Sequence, residues 1–214
     1  MSINILGISA DGVSGAALFE NSRLKLAVNE ERFTQTKLDK SYPFHSIGWI
    51  LEESGLLPNH IDYICYGFSD GKQNTSVSER IDEYSNESKT IILDRIRTHE
   101  DFDTKAREHF YKETSKLFPA IPIFNCSHHQ AHQACAYMAS PFEDCLIITA
   151  DGRGDYDSVT ISEASANRII PLYNSFSWES LGYLYGRVTK LCGFTPERHE
   201  GKILGLSAHG DPLK

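Results

Sequence analysis

The chain has 214 residues, enough for one large or two small domains, and its 40% hydrophobic and 23% charged residues are ordinary for a globular protein with a buried core. The net charge of −8 argues against a nonspecific grip on nucleic acid or an anionic membrane, because both require a basic face. No segment is apolar enough to cross a bilayer and no basic signal region opens the chain, so we expect a cytoplasmic protein. Its five cysteines form no C-x-x-C pair, which fits reduced thiols.

The first half of the chain is predicted to open with three short strands and then to mix helices and strands. Apolar runs bounded by Gly, Asn and Ser indicate strands, and apolar residues three or four apart indicate helices. We predict strands at 3–9, 16–20, 24–29 and 61–68, and helices at 43–55, 91–97 and 104–117. Asn21 and Ser22 are predicted to form the hairpin turn between the second and third strands. The polar segment 69–86 is predicted to be a loop or a mobile insertion.

The second half is predicted to contain a strand, a helix and three more strands, followed by two helices. We predict strands at 123–126, 145–150, 158–163 and 168–173, and helices at 127–139, 178–191 and 200–208. Ser127 is the candidate N-cap of the first of these helices. Hairpins combined with strand–helix crossovers predict an α/β fold with a mixed sheet.

Two histidines in the segment 127–132 form a candidate metal site. On a helix, His128 and His132 lie one turn apart on the same face, so two imidazoles can share one ion. A zinc-protease helix carries Glu directly after its first His, and His129 occupies that position here, so we exclude that class. A His-rich exposed helix face is the alternative, and the sequence leaves both interpretations open.

Asp151 follows an apolar predicted strand, at the position where α/β sheets place functional side chains. Gly152 and Gly154 would let main-chain amides approach a phosphate or a metal-bound ligand, and Asp155 is an alternative metal ligand. Asp and Gly are also typical of tight turns between strands. Taken alone, this segment favours the turn.

Two further segments carry candidate anion contacts. Gly201 and Lys202 open a predicted helix, where main-chain amides and a lysine can hold a phosphate, although the G-x-x-x-x-G-K spacing is absent. Arg32 and Lys37 follow the third strand and could hold phosphate or carboxylate groups. A solvated charged surface is the alternative interpretation of the Arg32 segment.

Taken together and in order, these motifs resemble the NodU-type carbamoyltransferases, which include antibiotic O-carbamoyltransferases. The resemblance covers nearly the whole chain. The matching motifs are Leu-Gly-Ile-Ser at 6–9, Ala-Ala at 16–17, Glu-Glu-Arg-Phe at 30–33 with Lys37, His-His-Gln-Ala-His at 128–132, Asp-Gly-Arg-Gly-Asp at 151–155 and Glu-Gly-Lys-Ile-Leu-Gly-Leu at 200–206.

The resemblance implies an actin/hexokinase/Hsp70-like (ASKHA) nucleotide-binding lobe, with residues 1–214 as the amino-terminal part of the enzyme domain. Members of the family are far longer, and a second lobe and a C-terminal domain would supply a further metal-binding carboxylate and much of the ATP site. We therefore expect a missing C-terminal portion or a partner chain to complete the enzyme. We expect no turnover from residues 1–214 alone.

The resemblance also implies a reaction and a metal. ATP and carbamoyl phosphate would give carbamoyl adenylate and pyrophosphate, and the carbamoyl group would pass to a hydroxyl of a small molecule. His128, His132 and Asp151 match the family's ligands to a divalent metal, for which iron is favoured, with manganese and zinc as alternatives. Arg32, Lys37 and Lys202 would contact phosphate or carbamoyl groups.

One departure from the family concerns the acceptor hydroxyl. Members commonly carry a His-Asp-Ser stretch after the first strand, and that histidine is a candidate base, whereas 13–15 reads Val-Ser-Gly here. Two other functions remain as alternatives. One is a non-catalytic binding or regulatory module, and the other is a related threonylcarbamoyl-tRNA or hydrogenase-maturation type transferase, for which the acidic charge gives no support.

Overall fold

The computed structural model describes residues 2–10, 12–70 and 80–211. The chain divides into two compact units, Met1–Gln130 and Ala131–Lys214. Within the described ranges no helix is long and apolar enough to cross a membrane. All five cysteines are free thiols.

The first unit is built on a five-stranded mixed sheet. Its strands are β1 Asn4–Ser9, β2 Gly15–Glu20, β3 Arg23–Asn29, β4 Tyr63–Tyr66 and β5 Ile123–Asn125. They lie in the order β3-β2-β1-β4-β5, with β2 antiparallel to both of its neighbours and β4 and β5 parallel to β1. The carboxyl ends of β1, β3, β4 and β5 therefore meet at one edge. Three opening strands in a mixed sheet confirm the predicted mixed-sheet α/β fold class.

The turn between β2 and β3 is the predicted one. Asn21 and Ser22 have φ angles of +50° and +65°, as a two-residue hairpin loop requires when its twist matches that of the flanking strands. The Asn21 side chain also accepts a hydrogen bond from the Ile3 amide at 3.0 Å. This contact joins the turn to the start of β1.

The core of the first unit forms where alternate side chains of β1 meet two helices, α2 Phe44–Ser54 and α3 Asn86–Leu117. Leu6 of β1, Ile50 of α2 and Phe110 of α3 have no exposed surface. Helix α2 follows a short helix, α1 Glu31–Thr34. It ends at Gly55, whose φ of +67° is accessible to glycine at little cost.

Helix α3 corrects the prediction of two separate helices at 91–97 and 104–117. The intervening residues are polar except for the exposed Phe102 and break the apolar pattern. They include no Gly or Pro, so nothing interrupts the main-chain hydrogen bonds. Only Ile92, Phe110 and Thr114 of this helix are buried. Of the predicted loop at 69–86, residues 71–79 lie outside the described part of the chain.

The second unit is built on a separate antiparallel sheet of three strands in the order β6-β7-β8. These are β6 Cys145–Gly154, β7 Asp157–Ser165 and β8 Arg168–Phe176. Helix α4, His128–Ala139, begins at the end of the first unit and continues into the second, where α5 Leu181–Leu191 and α6 Glu200–Ser207 follow the sheet. Helix α5 starts three residues later than predicted, because Ser180 caps it by accepting the Tyr183 amide.

Candidate metal centre

The start of α4 is fixed by a reciprocal pair of capping hydrogen bonds. Ser127 Oγ accepts the Gln130 amide at 3.2 Å, and Gln130 Oε1 accepts the Ser127 amide at 3.0 Å. This is a capping box, which satisfies two main-chain donors at the helix start. The helix therefore begins at His128, and the helical repeat places His132 one turn later on the same face.

Three potential metal ligands lie together at this helix. One donor atom each from His128, His132 and Asp151 lies within 4.8 Å of the other two. His128 is half-buried, while His132 and Asp151 are exposed, so solvent or a substrate group can reach the cluster. Among the described residues, the structure selects Asp151 for this cluster rather than the alternative Asp155.

Asp151 occupies an irregular part of β6, which corrects the expectation that the aspartate follows the end of the strand. The strand runs on to Gly154, and the turn to β7 comes at Asp155, whose φ is +54°. Pairing is regular up to Ala150 and resumes at Gly154, so residues 151–153 stand opposite a single residue of β7. Such a bulge re-aims side chains, and the Asp151 carboxylate lies near His132.

The Asp151 carboxylate uses its two oxygens differently. Its Oδ1 accepts the main-chain N–H of Gly152 at 2.6 Å, while Oδ2 lies 3.6 Å from His132 Nε2. In addition, Ser180 Oγ donates to the Asp151 main-chain carbonyl at 3.2 Å. The sequence did not predict the Ser180 contact, although Ser before a helix is a recognisable N-cap signal. These contacts hold the aspartate on the side of β6 that faces α4.

The proximity of Asp151 raises the pKa of His132. The carboxylate favours the protonated imidazole by hydrogen bonding and by charge, and partial burial opposes the shift. The 3.6 Å separation is nevertheless longer than a good hydrogen bond. A bound cation would replace the proton as the positive charge between the two side chains.

The donor set fits a divalent transition metal. Imidazole nitrogen and carboxylate oxygen bind such ions at about 2.1 Å, which places two donors about 3.4 Å apart in a tetrahedral site. The 3.6 Å between His132 Nε2 and Asp151 Oδ2 is close to that value. Two histidines and one carboxylate suit iron, manganese or zinc, and three protein ligands leave positions for water or substrate.

The two glycines after Asp151 have different surroundings. The amide of Gly152 is engaged by the Asp151 carboxylate. Gly154 is buried and pairs with Asp157 across the hairpin. The contacts of Gly152 and Gly154 with a substrate stay predictions. The tight-turn interpretation is confirmed at Gly154, where the turn from β6 to β7 begins.

Gly201 and Lys202 lie in the first turn of α6, as predicted. The space around the Gly201 Cα is open, so a ligand could approach the backbone there. Lys202 Nζ lies 5.6 Å from the centre of the Phe194 ring, within range of a cation–π contact. Their role in binding phosphate stays a prediction.

Arg32 and Lys37 follow the carboxyl end of β3, and His128 follows β5 at the same edge of the sheet. Four strand spacings separate β3 from β5, which amounts to about 19 Å. The side chain of Arg32 is 72% exposed. The two strand ends are therefore well separated along this edge of the sheet. The assignments of Arg32 and Lys37 as substrate contacts stay predictions.

Glu30, next to these basic residues, has a structural role that the sequence reasoning missed. Its side chain is 1% exposed and accepts hydrogen bonds from the amides of His45 and Ser46, from Ser46 Oγ, and from His45 Nδ1 at 2.6 Å. The carboxylate thus caps the first turn of α2, although Glu30 is distant from this helix in the sequence. A signal was present, since Pro43 at the N-cap position offers no side-chain acceptor.

Comparison with known proteins places the chain in a family. Nodulation protein NolNO of Sinorhizobium fredii is 30% identical over 200 residues, covering 92% of this chain and 28% of NolNO. An uncharacterised protein of Synechocystis is also 30% identical, covering 98% of this chain and 35% of its own length. The chain therefore spans about a third of the length of these curated relatives.

A solved structure of YeaZ from Pseudomonas aeruginosa shares 14% identity at a TM-score of 0.44, covering 81% of this chain and 67% of YeaZ. The family model described as "Carbamoyltransferase N-terminus" matches residues 4–214. The chain belongs to this carbamoyltransferase family.

Proposed function

We propose that the whole protein is a metal-dependent O-carbamoyltransferase that uses ATP and carbamoyl phosphate to carbamoylate a hydroxyl of a small molecule. Family membership supports carbamoyl transfer in general. The observation that carries the metal-dependent form is the convergence of His128, His132 and Asp151 on one point beside α4. A structural helix face would not require an aspartate from a bulged strand to lie against its histidines.

The proposed reaction proceeds in three steps. Carbamoyl phosphate loses its phosphate to water and gives carbamate. A carbamate oxygen attacks the α-phosphorus of ATP, the bond to the β-phosphate breaks, and pyrophosphate leaves with carbamoyl adenylate as product. The acceptor oxygen then attacks the carbamoyl carbon, its proton passes to a base, and AMP leaves.

The side chains of this chain hold and orient groups in that scheme. His128, His132 and Asp151 would bind a divalent cation, which when bound neutralises charge on phosphate or carbamoyl oxygens. The Gly152 amide holds the Asp151 carboxylate in place. Arg32, Lys37 and Lys202 would bind anionic parts of the substrates, and the amides near Gly154 and Gly201 would supply neutral donors.

The activity is proposed for the whole protein, because relatives of this chain are about three times its length. Residues beyond the matched third would complete the nucleotide site, and we expect residues 1–214 alone to bind metal weakly and to release no pyrophosphate. We also propose that the acceptor is a hydroxyl-bearing small molecule and that the protein is cytoplasmic.

The test is pyrophosphate release by the full-length protein supplied with ATP, carbamoyl phosphate and iron(II), manganese or zinc. We expect release that depends on carbamoyl phosphate and is lost in His132→Ala. His109→Ala is the matched control, since His109 is an exposed helical histidine in the other unit, and this variant should match the wild type. A metal-loaded wild-type protein that releases no pyrophosphate would favour the non-catalytic binding module instead.

A further inference from the structure

Between α4 and the three-stranded sheet lies a buried polar network that the proposed reaction does not use. Gln133, on α4, is 4% exposed, and Thr149, Thr160 and Ser162 on β6 and β7 are 8%, 7% and 0% exposed. Gln133 Nε2 donates to Thr160 Oγ1 at 2.6 Å and to Ser162 Oγ at 2.9 Å. Thr160 Oγ1 in turn bonds Thr149 Oγ1 at 2.6 Å.

This network connects the two elements that carry the metal ligands of the second unit. Gln133 directly follows His132 on α4, and Thr149 precedes Asp151 by two residues on β6. Thr160 is the register partner of Thr149 and joins the two sides. The segments that carry His132 and Asp151 are therefore joined by three buried side chains, which are linked by two hydrogen bonds. These bonds join Gln133 to Thr160 and Thr160 to Thr149.

A polar contact is unusual here, because helices normally pack on sheets through apolar side chains. Apolar packing is nondirectional, so it stabilises the interface without fixing how far the helix is shifted along the strands. Hydrogen bonds are directional, and a buried donor left unpaired destabilises the folded state. A shift of α4 along β7 would break both bonds of the Gln133 amide, so the network fixes the register of the helix on the sheet.

We propose that Gln133 is a positioning residue of the metal centre, which sets the distance between His132 and Asp151 by locking α4 to Thr160 and Ser162. This inference rests on the proposed function, because it assumes that the cluster binds a metal. Side chains that orient metal ligands typically change metal affinity by about 10–100-fold when they are replaced. We expect a loss in that range for Gln133→Met, which keeps the length of the side chain but removes the amide.

The experiment measures the dissociation constant of the full-length protein for Zn²⁺ and Mn²⁺ by competition with a chelating dye. The variants are Gln133→Met, Thr160→Val and their combination. Gln133→Met and Thr160→Val both remove the hydrogen bond between Gln133 and Thr160. The metal affinity of the double variant should therefore be no lower than that of the single variant with the lower affinity. In a His132→Ala background, Gln133→Met should cause no further loss, because the ligand it positions is absent.

Thr189→Val is the matched control for loss of a buried hydrogen bond. Thr189 has no exposed surface and donates to the Tyr185 carbonyl on α5, outside the network. We expect its metal affinity to stay within about twofold of the wild type. Far-UV circular dichroism and thermal midpoints establish that each variant is folded at the temperature of the titration.

The outcomes separate this inference from the proposed function. If the wild type binds neither ion, the metal centre itself is wrong. If the wild type binds and His132→Ala does not, but Gln133→Met binds like the wild type, only the positioning role is overturned. Equal losses in Thr189→Val and Gln133→Met would also overturn it, because general destabilisation would then account for both.

Discussion

Gly182 at the start of α5 lies against the backbone of Gly152, so closely that a Cβ on Gly182 would come 3.0 Å from Gly152 Cα and 3.1 Å from Gly152 N. The Ser180 hydroxyl meets the Asp151 carbonyl at the same place. The helix start therefore supports the bulged segment that presents the Asp151 carboxylate. Any residue with a side chain at position 182 would require the main chain to move.

Gly182→Ala is expected to destabilise the protein and weaken metal binding together. The added methyl group must push the start of α5 from the bulge by a few tenths of an ångström, and such overpacking costs about 1 kcal/mol at its lower end. The control is Gly205→Ala in α6, where a Cβ meets nothing within 4 Å and greater helix propensity should add about 0.5–1 kcal/mol. Denaturant unfolding and metal titration measure both effects, and equal metal affinity in the two variants would contradict the prediction.

Asp151→Asn is expected to reduce metal content in the purified full-length protein, because an amide oxygen is a much poorer ligand than a carboxylate. Asp155→Asn should retain the wild-type content, since Asp155 lies in the hairpin turn and is not among the clustered donors. Elemental analysis by mass spectrometry gives the ratio of metal to protein. The reverse result would identify Asp155 as the ligand.

Metal affinity is expected to rise with pH, with a midpoint above the ordinary histidine pKa of 6.5. A protonated imidazole cannot bind a metal, and Asp151 raises the pKa of His132, so deprotonation requires a higher pH. Asp151→Asn should lower that midpoint. Zn²⁺ titrations across the midpoint test the shift, and a midpoint that does not move in this variant would count against the coupling.

The stability of the metal-free protein should fall as the pH rises, whereas metal affinity should increase. Because the folded-state pKa of His132 is raised, its contribution to stability is complete below pH 6.5 and is lost as the pH rises through the raised value. The side chain is 53% exposed, so the contribution is small. Thermal midpoints with a chelator present, compared between the wild type and His132→Ala, measure it.

Glu30→Gln is expected to lower the free energy of unfolding by about 2 kcal/mol, at the upper end for a lost helix cap. Burial alone would raise the pKa of Glu30, but the hydrogen bonds from Ser46 and His45 together outweigh it and lower the pKa. The carboxylate therefore contributes stability above pH 4.5, and this is lost as the pH falls through the lowered value. Urea unfolding at neutral and acidic pH should show the variant and the wild type converging in acid.

The control for this prediction is Glu20→Gln, which removes an exposed carboxylate paired with Lys25 at the edge of the same sheet. Surface ion pairs contribute little, so its unfolding midpoint should match the wild type. A similar loss in both variants would mean that net charge, and not the cap of α2, explains the effect of Glu30.

The sequence by itself determined the features that depend on neighbours within a few residues. The Ser127 cap and the helical spacing of His128 and His132 follow from local hydrogen bonds and the helical repeat. The Asn21-Ser22 turn follows from the short-range preferences of a two-residue hairpin. Motifs in the right order along the chain were enough to identify the family.

Only the tertiary structure showed how the chain brings Asp151 to the histidines, and what holds it there. The bulge at 151–153 depends on how β6 pairs with β7, and such register is a long-range property. The capping of α2 by Glu30 and the link from Gln133 to Thr160 join residues 16 and 27 positions apart. A buried polar side chain takes whichever partner packing brings to it, and packing is a property of the whole fold.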